Sequence, residues 1–195
     1  MVALDQWVKQ GIAPPPSRYP TLKDRTLVAP TRKNIGFPNI PDVRLAGLHN
    51  HQLFLDYGPK ILSGKMDVHP PQPNGKGAYK ILVPKVDCDG NDVAGIRLPV
   101  LQIPVATYTG WNLRPRGLAE GELAGLLGSF IPFPKTRAQR RSAGDPRMAI
   151  AERYKNRDDY VRQISRAARR LVEQRYLLPE DAERMIAEAK KRRVP

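Results

Sequence analysis

Five serines, three histidines, one cysteine and a dense run of carboxylates are the side chains of this chain that could do chemistry. Serine hydrolysis needs a nucleophile on a strained turn, usually Gly-x-Ser-x-Gly, backed by an imidazole and a carboxylate. Ser129 comes closest, in Leu127-Gly128-Ser129-Phe130-Ile131-Pro132, but Ile131 stands where the second glycine belongs. The expected role of Ser129 is therefore structural. His49 and His51 alternate and would share a face on a strand, a spacing that suits a metal. No cysteine or carboxylate next to them in sequence completes such a site, and His69 is the only other imidazole. Neither a metal nor an organic cofactor is expected.

The run Asp87-Cys88-Asp89-Gly90-Asn91-Asp92 has the carboxylate density of a calcium loop. Its details do not fit an EF-hand, which places glycine sixth and glutamate twelfth; here Gly90 is fourth and Leu98 twelfth. A hairpin turn accounts for the same residues. Cys88 lies between two acids, which disfavour the thiolate that reactive chemistry requires. Thr107 to Arg114 offers a different mixture: Tyr108, Trp111, Asn112 and Arg114 bring aromatic faces, an amide and a guanidinium into one short stretch, as binding pockets do. These four are the candidate substrate-binding residues. In the competing reading, held about even, Trp111 plugs a core edge and Asn112 satisfies loop backbone.

Composition bounds what can position these groups. With 195 residues the chain has room for one domain with a core, or a small domain with extensions. Mean hydropathy is −0.50, and no apolar run approaches the roughly 18 residues of a membrane span. Residues 1–10 mix Asp5 and Lys9 with apolar side chains and lack an export signal's pattern, so the cytoplasm is the default compartment. One cysteine excludes an internal disulfide. The net charge of +14 raises nucleic acid as a partner. Its distribution argues otherwise, since residues 1–115 hold 14 basic and 8 acidic side chains and residues 116–195 hold 19 and 11. Interleaved charge of this kind is the mark of a solvated surface.

Proline divides the chain. Eighteen of the 20 prolines fall between Pro14 and Pro146, and each removes a backbone donor and fixes φ, which excludes long helices there. Before this region Val2, Leu4, Trp7 and Val8 form an apolar stripe that stops at Gly11, predicting a short helix. It lacks an N-cap and has the look of the last turns of a longer element. Tyr79 to Val86 and Val93 to Leu98 predict the arms of a hairpin, and Gln102 to Tyr108 a third strand. Few regular elements are expected over residues 19–28 and 37–58. From Asp158 onward Tyr160, Val161, Ile164, Ala167, Ala168, Leu171 and Val172 recur at helical spacing. Pro179-Glu180-Asp181 opens a second helix that turns Ala182, Met185, Ile186 and Ala189 inward. A helix-turn-helix reading of these helices, with Arg162 to Arg175 on phosphates, gives the alternative function of a basic module contacting nucleic acid. Glu180, Asp181, Glu183 and Glu188 would repel that backbone.

Read in order, a series of motifs resembles the C-terminal portion of the bacterial alpha/beta hydrolase domain-containing proteins. They begin with Leu4-Asp5-Gln6-Trp7-Val8, Pro14-Pro15-Pro16-Ser17-Arg18-Tyr19-Pro20 and Asp56-Tyr57-Gly58-Pro59. They continue through Leu82 to Asp87, Asp89-Gly90-Asn91, Gly95-Ile96-Arg97-Leu98-Pro99 and Thr107 to Arg114. Gly128 to Phe133, Gly144-Asp145-Pro146-Arg147, Glu152-Arg153-Tyr154 and Leu177 to Ala182 complete the series.

The resemblance implies an α/β-hydrolase sheet and ester hydrolysis through a serine, a carboxylate and a histidine, all lying upstream of these residues. No catalytic residue carries over onto this chain. The expected class is α+β: a partial α/β-hydrolase-like chain with a helix over 1–12, a Pro-rich loop and hairpin body over 13–150, and a helical hairpin over 151–195. It is expected to be one region of a serine ester hydrolase, inactive alone, with the upstream portion as its partner and a small-molecule ester as the substrate of the whole.

Overall fold

The computed structural model describes residues 2–47, 49–192 and 194. Its architecture is α+β, with seven α-helices and three separate two-stranded antiparallel sheets among the described residues. Between Pro14 and Pro146 the longest helix has seven residues, in keeping with proline's loss of a donor.

Helix α1, Val2–Gln10, forms as its stripe predicts and ends where Gly11 turns. It buries none of that stripe: Leu4 and Trp7 are each 53% exposed. An extended arm follows and docks on the turn of the C-terminal hairpin. There Arg175 donates to the carbonyl of Ala13 at 2.7 Å and to Gln6 at 3.0 Å, and the Arg18 guanidinium lies 4.4 Å from the Tyr176 ring centre.

Strand β1, Leu27–Val28, pairs not with a sequence neighbour but with β4, Val83–Pro84. Between them lie α2, Arg32–Ile35, and the pair β2, Leu53–Asp56, with β3, Gln72–Ala78. The predicted hairpin around Asp87–Asp92 is correspondingly reduced. The turn is present, closed by a single Val86 to Asp92 bridge, but the upstream arm is taken by β1. The downstream arm runs into α3, Pro99–Gln102, because Pro99 is preorganised for the first helical position. The third predicted strand therefore loses Gln102 to α3 and residues 103–105 to irregular chain, and β5 spans Ala106–Thr109. It pairs with β6, Ser129–Pro132.

Helices α4, Arg137–Ala143, and α5, Ile150–Arg153, lead to the helical hairpin of α6, Arg157–Glu173, and α7, Pro179–Lys191. Thr136 and Gln139 cap α4 reciprocally in a capping box. Asn156 caps α6, its side chain accepting from the Asp159 N–H at 2.9 Å. The inward stripe is as the spacing predicts, with Tyr160, Ile164, Ala168, Leu171, Ala182, Ile186 and Ala189 buried and Met185 half-buried. Most of these residues join Val105, Phe133, Ile150 and Tyr154 in the larger hydrophobic cluster. A smaller cluster gathers Ile35, Phe37 and Ile40 with Val86, Trp111 and Ile131. Strand β6 and its continuation join the two, since Ile131 packs into one and Phe133 into the other.

Candidate functional site

The Asp87–Asp92 turn is held by charge. The Asp87 carboxylate accepts the backbone N–H groups of Asp89 and Asn91, each at 3.0 Å, and pairs with Arg97 at 2.8 Å. Asp89, 6% exposed, takes both terminal nitrogens of Arg153, one at 2.7 Å. Asn91 is fully buried and stitches the turn to β5, donating to the Ala106 carbonyl at 3.1 Å and accepting from the Tyr108 N–H at 2.7 Å. Gly90 has φ +79°, and a Cβ there would stand 2.9 Å from the Thr107 methyl. Only glycine satisfies both demands.

Thr107 hands the same network on. Its hydroxyl donates to the Asp89 carbonyl and accepts from Arg147 at 2.9 Å. Arg147 is 3% exposed and spends its remaining donors on Asp145, at 3.0 and 2.6 Å, and on the carbonyls of Ile131 and Pro132. Burial by itself would raise the Asp145 carboxyl, but the side-chain and backbone N–H groups of Arg147, helped by the Arg140 charge, hold it below its ordinary value. The carboxylate-rich motif is thus a scaffold. It fixes β5 and the chain that leaves it.

What leaves β5 is Gly110-Trp111-Asn112-Leu113-Arg114, and Trp111 stands as a wall between two clefts. The first, about 260 Å³, is lined by Ile35, Phe37, Val83, Val86 and Leu45, by Tyr108, and by His49 and Asp92. Phe37 and Trp111 meet there with ring centres 5.7 Å apart. Partial desolvation beside the cleft pushes the Asp92 carboxyl above the usual range although the side chain is solvent-exposed, Arg97 opposing the rise and Asp87 adding to it. The second cleft, about 430 Å³, contains Asn112 and Arg114 with Asp42, Arg44, Ser129 and Phe130.

The four predicted binding residues are therefore divided. Trp111 serves both clefts, Tyr108 the first, and Asn112 and Arg114 the second. The Tyr108 ring packs edge-on against Phe130 at 5.4 Å, and its hydroxyl accepts from Arg192 at 3.4 Å. The Asn112 side chain accepts the Leu113 N–H at 2.9 Å, the loop-satisfying role, with its amide nitrogen left for other partners. Arg44 is paired to Glu120 at 3.1 Å, whereas Arg114 forms no ion pair among the described residues.

The remaining chemical side chains are dispersed. The Ser129 hydroxyl donates to the Trp111 carbonyl at 3.0 Å and so props the wall. His49 is half-buried in the first cleft, while His51 and Cys88 are exposed. No group of three or more metal-ligating side chains converges among the described residues. The basic residues of the terminal hairpin are partly neutralised, Arg162 by Asp159 and Lys191 by Glu188. In the sequence Asp92 has only a turn role and Phe37 no site role; the alternation of acids in the turn gives no sign of which one faces a cleft. No described helix is long and apolar enough to cross a membrane.

Comparison with curated proteins and with solved structures returns no match. Comparison with protein-family models matches residues 1–187 to the model described as alpha/beta hydrolase domain. That match includes the carboxylate scaffold, both clefts and nearly all of the terminal hairpin, and it carries a hydrolase-type function with it. This chain belongs to the alpha/beta hydrolase domain family.

Proposed function

We propose that the chain forms the C-terminal part of a serine ester hydrolase and shapes the place where the ester sits, while the nucleophile and its base come from an upstream portion. The observation that carries this reading is the Trp111 wall. An aromatic residue, an amide and an unpaired guanidinium line one cleft, on the chain that leaves β5, and β5 itself is fixed by a buried polar network. Rigid support of this kind is what a substrate-positioning surface requires. Arg114 and the Asn112 amide are donors suited to a carbonyl or carboxylate oxygen, and Trp111 offers its face to the apolar part of the ester. Tyr108 braces the wall from the first cleft.

Catalysis by this chain alone is not part of the reading. Ser129, the serine nearest the wall, is committed to the Trp111 carbonyl and shares its cleft with no histidine among the described residues. A general base must lie within hydrogen-bond reach of the proton it removes.

Two measurements test this. Purified chain incubated with p-nitrophenyl butyrate is expected to give no turnover above buffer; repeated turnover that a serine-directed fluorophosphonate abolishes would overturn the division of labour. Trp7→Phe leaves Trp111 as the sole indole reporter. Ethyl butyrate should then change its fluorescence saturably, and Arg114→Met should weaken binding by about fivefold or more, the scale of a lost charged hydrogen bond at a half-exposed site. An unchanged titration in Arg114→Met removes the substrate-positioning role.

A further inference from the structure

The first cleft has a chemistry that ester positioning does not use. Three carboxylates belong to the turn beneath it, and two are spoken for: Asp87 by Arg97 at 2.8 Å, Asp89 by Arg153. Asp92 forms no ion pair among the described residues, and it lines the cleft. Asp92 is solvent-exposed, and the same cleft is lined by the aromatic residues Phe37, Trp111 and Tyr108, by the aliphatic Ile35, Val83 and Val86, and by His49. A carboxylate with aromatic faces attracts cations twice over, by charge and by the ring quadrupoles. The chain's net charge of +14 opposes this only weakly, because interactions beyond about 8–10 Å are screened at physiological salt.

Size narrows the occupant. An apolar cavity of about 150 Å³ holds benzene, so about 260 Å³ has room for one ring or a short branched chain with a small head group. It is too small for a long acyl chain or a fused polycycle.

We propose that the cleft bounded by Phe37, Val86, Asp92 and Trp111 binds a compact organic cation, an ammonium group carried on a single ring or short branched apolar body. The ammonium sits at Asp92 and the apolar body lies among the rings and the aliphatic side chains. The site is distinct from the Asn112 and Arg114 side of the wall, and it stands or falls without the ester reading.

Benzylamine is the probe, with benzyl alcohol and benzoate as neutral and anionic counterparts of the same shape, titrated against the Trp7→Phe chain. Saturable binding of benzylamine, about five- to tenfold tighter than benzyl alcohol and tighter still than benzoate, is expected from one charge-assisted contact. Asp92→Asn should bring benzylamine down to the level of benzyl alcohol. Ala46 also lines the cleft, and Ala46→Phe should fill it and abolish binding of both, with the unfolding midpoint and near-ultraviolet circular dichroism confirming the fold of each variant. Equal affinity for amine and alcohol, an undiminished amine titration in Asp92→Asn, or no saturable binding in the Trp7→Phe chain would each overturn the proposal. Arg114→Met should leave benzylamine binding unchanged, which separates this site from the ester-facing one.

Discussion

Arg147 is the residue on which the site geometry turns. Its guanidinium joins β5, β6 and the Asp145 turn, and it is 3% exposed. Removing one partner of a buried ion pair leaves the other charge uncompensated, at a cost of about 3–5 kcal/mol. Arg147→Met should therefore lower stability by that amount in urea unfolding, while the exposed Arg184, paired with Asp181, should cost under about 1 kcal/mol when truncated. The same pair gives a pH dependence with a definite sign. Because the folded state depresses the Asp145 carboxyl below its ordinary 3.8, the pair's contribution is fully present above that value and is lost as pH falls through the lower, folded-state one. Unfolding midpoints measured between about pH 6 and pH 2 should show an acid-side decline. In the double variant Asp145→Asn, Arg147→Met that decline should shrink.

Among the elements, the β5–β6 pair and the turn of the terminal hairpin are each decided by one backbone position. A Cβ at Gly128 would lie 2.2 Å from the Thr109 carbonyl oxygen, a backbone atom that cannot swing aside. Gly128→Ala should open the Thr109–Ser129 end of the ladder, cost about 1–3 kcal/mol as overpacking does, and shift the fluorescence of Trp111 by releasing its carbonyl from Ser129. At the other element, α6 ends in a Schellman motif: the Tyr176 N–H bonds to the Leu171 carbonyl at 2.9 Å and the Arg175 N–H to Val172 at 2.8 Å. Glycine usually fills the left-handed position there, yet this chain places Arg175 in it at φ +62°. The same arginine tethers the N-terminal arm through Ala13 and Gln6. Arg175→Gly should slow amide exchange in α6 and α7, relieving about 1 kcal/mol of strain, and should speed exchange in α1 and residues 11–20. Equal slowing in both segments would show that the arm is held by something else.

On the scale of the whole molecule, two modest clusters are joined through one small sheet, and the family's central parallel sheet has no counterpart among the described residues, whose three sheets are all two-stranded and antiparallel. Apolar side chains remain in solvent, Trp7 and Val8 on α1 and Leu126 and Leu127 before β6 among them. What this assembly builds well is the network from Arg153 through Asp89, Thr107 and Arg147 to Asp145. Its product is a fixed β5, from whose end the Trp111 segment leaves.

Periodicity and proline placement determined the outer plan. A 17-residue helix with apolar residues every three or four positions has one way to bury them, and the sequence therefore showed α6, α7, their inward stripe and the absence of long helices between Pro14 and Pro146. The turn at Asp87–Asp92 was equally legible, because its residue types serve turns locally. Strand partners were not. Val83–Pro84 is two residues long, and whether it pairs with Leu27 or with Val93 depends on contacts more than 50 positions apart that no local pattern encodes. Tertiary structure also decided the meaning of the charged residues. Asp87, Asp89 and Asp92 look alike in sequence, but what each does depends on whether folding brings it into a direct ion pair. Arg97 and Arg153 arrive at the first two and leave Asp92 to the cleft.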